Sequence, residues 1–156
     1  SRGDAMGVVH SVPVSEIHAP DKNTLLADID LNMGGYAAEK IKYGVTSTGV
    51  ASDFKTAAHI AHAMVWRYGM GAGGVIGDIS SLPPSERSNE LCDRLNRETQ
   101  AILADRLRAT EALLRANWQI VERFVKELLA REELDYDDIS AIFSEYGKPP
   151  RPLPKG

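Results

Sequence analysis

A single cysteine, Cys92, occurs in the 156 residues, so neither an internal disulfide framework nor a cysteine-based zinc cluster can form. That scarcity fits a reducing compartment. No run of 18 or more apolar residues occurs, and the first residues carry no signal-peptide pattern, so this stretch holds no candidate membrane-spanning helix. Positive charge is also short: 18 Lys and Arg stand against 22 Asp and Glu, for a net charge of −4 and a pI near 5.6. The chain lacks the basic footprint that nucleic acid or an anionic membrane surface requires. No G-x-x-x-x-G-K-[ST] occurs, which excludes nucleotide binding by that route. No histidine is followed by glutamate, so H-E-x-x-H, which sets two imidazoles and a general base on one helix face, is absent as well.

What is present suffices for one compact domain, since 43% of the residues are hydrophobic and a chain of this length can bury a core. Residues 5–12, Ala-Met-Gly-Val-Val-His-Ser-Val, are short, β-branched and bounded by Gly3 and Pro13, and read as a strand. A lone strand histidine such as His10 reads as a surface or core residue. After a loop over 13–21, Leu25, Leu26, Ile29, Met33, Tyr36, Ala37 and Ile41 recur at helical spacing from Lys22 to Tyr43. Gly34-Gly35 interrupts that helix at a cost of about 1 kcal/mol per glycine relative to alanine, and is expected to mark close approach of another backbone. A second helix, Ser52 to Tyr68, carries the stripe Phe54, Ala57, Ala58, Ala61, Met64, Val65 and Tyr68. Gly69-Met70-Gly71-Ala72-Gly73-Gly74 spells G-x-G-x-x-G but follows a helix rather than a strand, so it is no dinucleotide fingerprint. A mobile loop is expected over 71–82. Pro83-Pro84 marks the next helix start, whose stripe Leu91, Leu95, Thr99, Ile102, Leu103, Leu107 and Leu114 runs for some thirty residues beside a solvated face of alternating charge. Cys92, within that pattern, reads as a small half-buried hydrophobe. Asn117 can cap a following helix with the stripe Trp118, Val121, Phe124, Val125, Leu128 and Leu129. Leu134 to Ile139 combines an N-cap with a hydrophobic staple and opens a last helix to Tyr146. The Pro-rich tail 147–156 reads as an extended terminus.

Chemistry is concentrated at Thr46-Ser47-Thr48-Gly49-Val50-Ala51-Ser52-Asp53, a Gly-containing turn that sets Asp53 at the mouth of the second helix. By spacing alone Asp53 is a cap or first-turn residue, favoured there by roughly 0.5–2 kcal/mol. His59 and His62 stand at i and i+3, a spacing that puts both on one face and can chelate a metal. Asp53 is nearly two turns from His59, so the three do not form a local trio, and the two histidines read as surface residues. Glu39 is either a solvated helix carboxylate or a group that orients a metal ligand.

Thr48-Gly49, Ser52-Asp53 and the following Ala57, Ala61, Met64-Val65 and Tyr68-Gly69-Met70 resemble the peptidase domain of the FtsH family, the membrane-anchored ATP-dependent zinc metalloproteases. Ser1-Arg2-Gly3-Asp4-Ala5-Met6-Gly7-Val8, Met33-Gly34-Gly35-Tyr36-Ala37-Ala38-Glu39 and Leu134-Asp135-Tyr136-Asp137-Asp138-Ile139 resemble further segments of that family, in its order, from residue 1 to about 150. The sequence departs from the pattern at Tyr36 and Lys40, where the family has Arg and Glu, and at the Gly-rich run, where it has a Lys-containing segment. The resemblance implies a mainly α, helical metalloprotease-type peptidase domain with a small β element near the N-terminus. Residues 1–146 would be its C-terminal part, 1–82 near the cleft and 83–146 helical, followed by the tail 147–156. It further implies that Asp53 is the third zinc ligand and that Gly7, Val8 and Val9, near the cleft, pair with the substrate backbone, while Glu39 stays open between the two roles given above.

By the same resemblance the two histidine ligands and the catalytic glutamate lie just upstream of the segment with which this sequence begins, and no initiator Met stands at position 1. The chain is therefore expected to be an excised, soluble part of a longer, membrane-anchored parent of a bacterial inner or an organelle membrane. Alone it is expected to be inactive, with no catalytic residue of its own. The parent would hold Zn2+, use ATP and Mg2+ in an upstream module, form a homo- or hetero-hexamer and degrade unfolded or membrane polypeptides, while this chain touches neither nucleic acid nor membrane. The alternative is a non-catalytic helical module for assembly or interaction.

Overall fold

The computed structural model describes residues 19–148. Among these residues there are five α-helices, three short 3-10 turns and no strand. The strand expected over 5–12, with Gly7, Val8, Val9 and His10, lies outside the described residues, as does the tail from 149 onward.

Helix α1, Lys22–Tyr43, starts where Asp21 accepts a hydrogen bond from the Thr24 amide at 2.8 Å and stops at Gly44, whose φ of 73° is the left-handed value that glycine adopts without a steric penalty. It runs unbroken through Gly34 and Gly35. A Cβ built on either glycine meets nothing within 4 Å, so the close approach expected there is absent among the described residues. Helix α2, Ala51–Trp66, and helix α3, Asn89–Ala116, pack on α1 and on each other. Ile29 and Met33 of α1 meet Ala57, Ala61 and Met64 of α2 in one cluster, with Ile102, Leu103 and Leu107 of α3 against it. The alanines let the backbones of α1 and α2 come close, and each fully buried large side chain such as Ile29, Met64, Val65 or Leu95 is worth about 1.5–3 kcal/mol of transfer free energy. A second cluster of Val65, Trp66 and Leu95 continues this core, with Cys92 half-buried at its edge. Tyr68, expected in the α2 stripe, is half exposed because the helix ends at Trp66.

The start of α3 falls later than Pro83-Pro84 suggests. Those prolines open a separate 3-10 turn, Pro84–Glu86, and α3 begins only when Ser88 accepts from the Leu91 amide at 3.1 Å. Helix α4, Trp118–Arg131, and helix α5, Tyr136–Glu145, pack on each other beyond the end of α3. Asn117 sits at the α3–α4 junction but caps nothing with its side chain. Its amide donates to the Leu113 carbonyl at 2.8 Å while its oxygen accepts from Lys148 at 2.6 Å. Helix α5 opens on a capping box between Asp135 and Asp138, and Arg131 clamps Asp138 through two bonds of 2.9 and 3.0 Å.

Candidate functional site

The turn from Gly44 to Asp53 joins α1 to α2, and its course is set by a side chain of α1. The half-buried Glu39 carboxylate accepts hydrogen bonds from the Ser47 amide and, at 3.2 Å, from the Ser47 hydroxyl. A carboxylate taking a backbone N–H makes a charge-assisted bond, roughly twice as strong as a neutral one. Residues Thr48–Val50 then form one 3-10 turn that runs into α2. Asp53 stands in the first turn of α2, third in the helix rather than at its cap, since Val50 holds the cap position and makes no side-chain bond there. The Asp53 side chain is exposed. The Ala51 amide donates to the Thr48 carbonyl of the 3-10 turn, and the remaining first-turn N–H groups, with the positive end of the helix dipole, favour a carboxylate at that place.

Glu39 therefore lies against Ser47, six residues before Asp53 in sequence, and not against Asp53 itself. His59 and His62 are exposed on α2. Among the described residues no group of three or more His, Cys, Asp or Glu side chains is placed to hold a metal ion. A catalytic zinc needs three protein ligands and an open position. The donor set of the described residues, with one carboxylate at the mouth of α2, does not by itself fit a zinc centre.

Two features escaped the sequence reading. The loop expected to be mobile is tied down: the Gly73 amide donates to Glu98 at 2.6 Å, the Gly73 carbonyl accepts from Arg94, and Arg67 pairs with Asp78 at 3.6 Å. A Cβ on Gly71 would stand 2.6 Å from the Glu98 carboxylate, which is why small residues crowd this run. Arg94 and Glu98, at i and i+4, were legible only as one of many surface pairs. The second feature is Trp66, buried to 5% exposure, on which His62 stacks with ring centroids 4.8 Å apart and planes 12° from parallel. Burial, and then the nearby His59, hold His62 below the ordinary imidazole value.

The largely apolar groove between the three core helices, lined by Met33, Tyr36, Phe54, Ala58, Leu103 and Leu107 among others, has a volume of about 390 Å3. Tyr36 and Phe54 meet there with centroids 4.8 Å apart. This contact joins α1 to the first turn of α2 one residue after Asp53, so the mouth of α2 is fixed from both sides, by Glu39 on the turn and by Tyr36 on the helix.

Comparison with known proteins places the chain in a family. The chain is 32% identical to the ATP-dependent zinc metalloprotease FtsH of Cupriavidus metallidurans, over 99% of this chain and 25% of that protein. It is 34% identical to the protein of the same name from Syntrophus aciditrophicus, over 97% of this chain and 22% of that protein. The FtsH of Mycoplasma pneumoniae is 33% identical over 97% of this chain and 23% of its own length. The chain thus spans about a quarter of the length of the curated relatives it matches. The sequence profile of Peptidase family M41 matches residues 1–142, and the chain belongs to that family.

Proposed function

We propose that this chain is the C-terminal part of the peptidase domain of a membrane-anchored, ATP-dependent zinc metalloendopeptidase acting on unfolded or membrane polypeptides. In this reading Asp53 gives one carboxylate to a zinc ion whose histidine ligands and catalytic glutamate lie on a preceding segment of the parent. ATP and Mg2+ belong to an upstream module, and the parent assembles as a hexamer. The family match over residues 1–142 supports the reading. The single observation that carries the site is the exposed carboxylate of Asp53, held at the positive end of α2 on a turn braced by Glu39. Glu39 then acts as a positioning residue, setting the turn rather than touching the metal. Gly7, Val8 and Val9 pair with the substrate backbone.

The test is Asp53→Ala in the longer open reading frame. Bound zinc and casein cleavage are both expected to be lost while ATP hydrolysis and far-UV circular dichroism stay at wild-type values. Retained proteolysis would remove Asp53 from the ligand set. The second reading is a non-catalytic helical assembly module. The open reading frame separates the two: H-E-x-x-H encoded just upstream supports the protease, and a start codon at residue 1 supports the module.

A further inference from the structure

Four histidines occur in the chain, His10, His18, His59 and His62, and the fold brings two of them into one concavity. His59 and His62 line a hollow of about 410 Å3 on the outer side of α2, together with Ala58, Ala63 and Arg67. Residues three apart on a helix have Cβ atoms about 5–6 Å from each other, and the i, i+3 pairing of donors is the one that helical bundles use for Glu-x-x-His metal ligation. Both rings are exposed, so a cation reaching them keeps most of its water. Ala58 and Ala63 leave the space around the rings open. His62 rests on the buried Trp66 ring, which limits its rotation and lowers the entropy lost on ligation. The one cation among the lining residues, Arg67, is engaged elsewhere, paired with Asp78 at 3.6 Å and lying over the Tyr68 ring at 5.5 Å.

We propose that His59 and His62 form a two-imidazole chelate for a borderline divalent transition ion, with water completing the coordination. Nitrogen donors of this kind favour Cu2+ over Ni2+ and Zn2+. The site is separate from Asp53, which lies six residues earlier, about 9 Å along the helix axis at 1.5 Å per residue. It therefore stands or falls independently of the zinc ligand assigned to Asp53.

The experiment is calorimetric titration of CuCl2 into the full chain at pH 7.5 in a non-coordinating buffer, with nitrogen hyperfine structure read by electron paramagnetic resonance. One equivalent of Cu2+ bound by two imidazole nitrogens is expected. His59→Ala and His62→Ala should each weaken it by about tenfold or more, because the chelate becomes a single donor. The double variant His10→Ala/His18→Ala and the variant Asp53→Ala should bind as the wild type does. His59→Ala is the cleaner of the two α2 variants, since it leaves the His62–Trp66 stack in place. No saturable binding, binding indifferent to His59→Ala, or binding lost in His10→Ala/His18→Ala would each overturn the proposal.

Discussion

Replacing Gly34 and Gly35 of α1 with alanine is expected to stabilise the chain, and the size of the gain follows from three observations. Both residues lie deep within a 22-residue helix, where glycine costs about 0.5–1 kcal/mol relative to alanine through backbone entropy. Neither carries a positive φ, and among the described residues a Cβ at either meets no atom within 4 Å, so none of these residues opposes the gain sterically. The double variant should therefore gain about 1–2 kcal/mol, which for a domain of this size raises Tm by roughly 2–8 °C. Thermal unfolding followed at 222 nm and urea unfolding with an unchanged slope would measure it. A drop in stability would refute the reasoning and mean that another backbone presses on this face. Proteolysis by the longer protein adds a second readout. Activity lost together with stability gained would place a segment from outside this chain against the two glycines, and activity retained would make them dispensable.

Three further outcomes follow from the structure. Arg106→Ala should destabilise the chain by about 1–2 kcal/mol, because the guanidinium holds Asp30 through two hydrogen bonds in a pair that is only 30% and 31% exposed and charge-assisted bonds exceed neutral ones; Arg106→Lys should recover only part of that, having no fork to offer. Glu132, the C-cap of α4, has a φ of 67°, and Glu132→Gly should raise stability by about 1 kcal/mol by relieving a left-handed side-chain residue, as urea unfolding would show. His62 titrates below the ordinary 6.5 when folded, through burial first and His59 second. Above pH 6.5 the ring is neutral in both states; as the pH falls below that value the unfolded chain binds the proton first, so stability should decline until the folded value is passed. Comparing urea midpoints at pH 7.5 and 5.5 in wild type and His62→Gln isolates this contribution, and an identical pH slope in the two would refute it.

The helices were legible because their apolar residues repeat at helical spacing: Ile29, Met33 and Ala37, then Ala57, Ala61 and Met64, are the residues that the core buries. The ends were less legible. Pro83-Pro84 looks like a helix start, yet Ser88 supplies the cap, since a proline pair suits a 3-10 turn as well as a first helical turn. Asn117 occupies a cap position while spending its side chain on Leu113 and Lys148, a choice made by tertiary contacts that local sequence does not encode. The glycine run illustrates the same limit. Glycines 71 and 73 look like freedom in the sequence, but they make room for Arg94 and Glu98, some twenty-five residues away. Only a packed structure reveals such a tether.

At the candidate site the place of Asp53 at the mouth of α2 was legible from the Gly-containing turn before it, and what fixes that turn was not. A carboxylate at a helix mouth is aimed only as well as the turn before it. The turn over 44–53 has little burial of its own, with Val45 and Ser47 exposed, so its geometry must be imposed from outside. Glu39 does this by accepting both the amide and the hydroxyl of Ser47, and Tyr36 does it by packing on Phe54. Both come from one face of α1, three residues apart, which makes α1 a template for the mouth of α2. At Gly34 and Gly35, adjoining that face, a Cβ would meet no atom of the described residues within 4 Å. In the role proposed for Asp53 an exposed carboxylate needs such rigid backing, because a misplacement of about 1 Å in a catalytic group is enough to cost a large factor in rate. The strength of the Glu39 brace on Ser47 is therefore what sets how firmly the carboxylate of Asp53 is held at the mouth of α2.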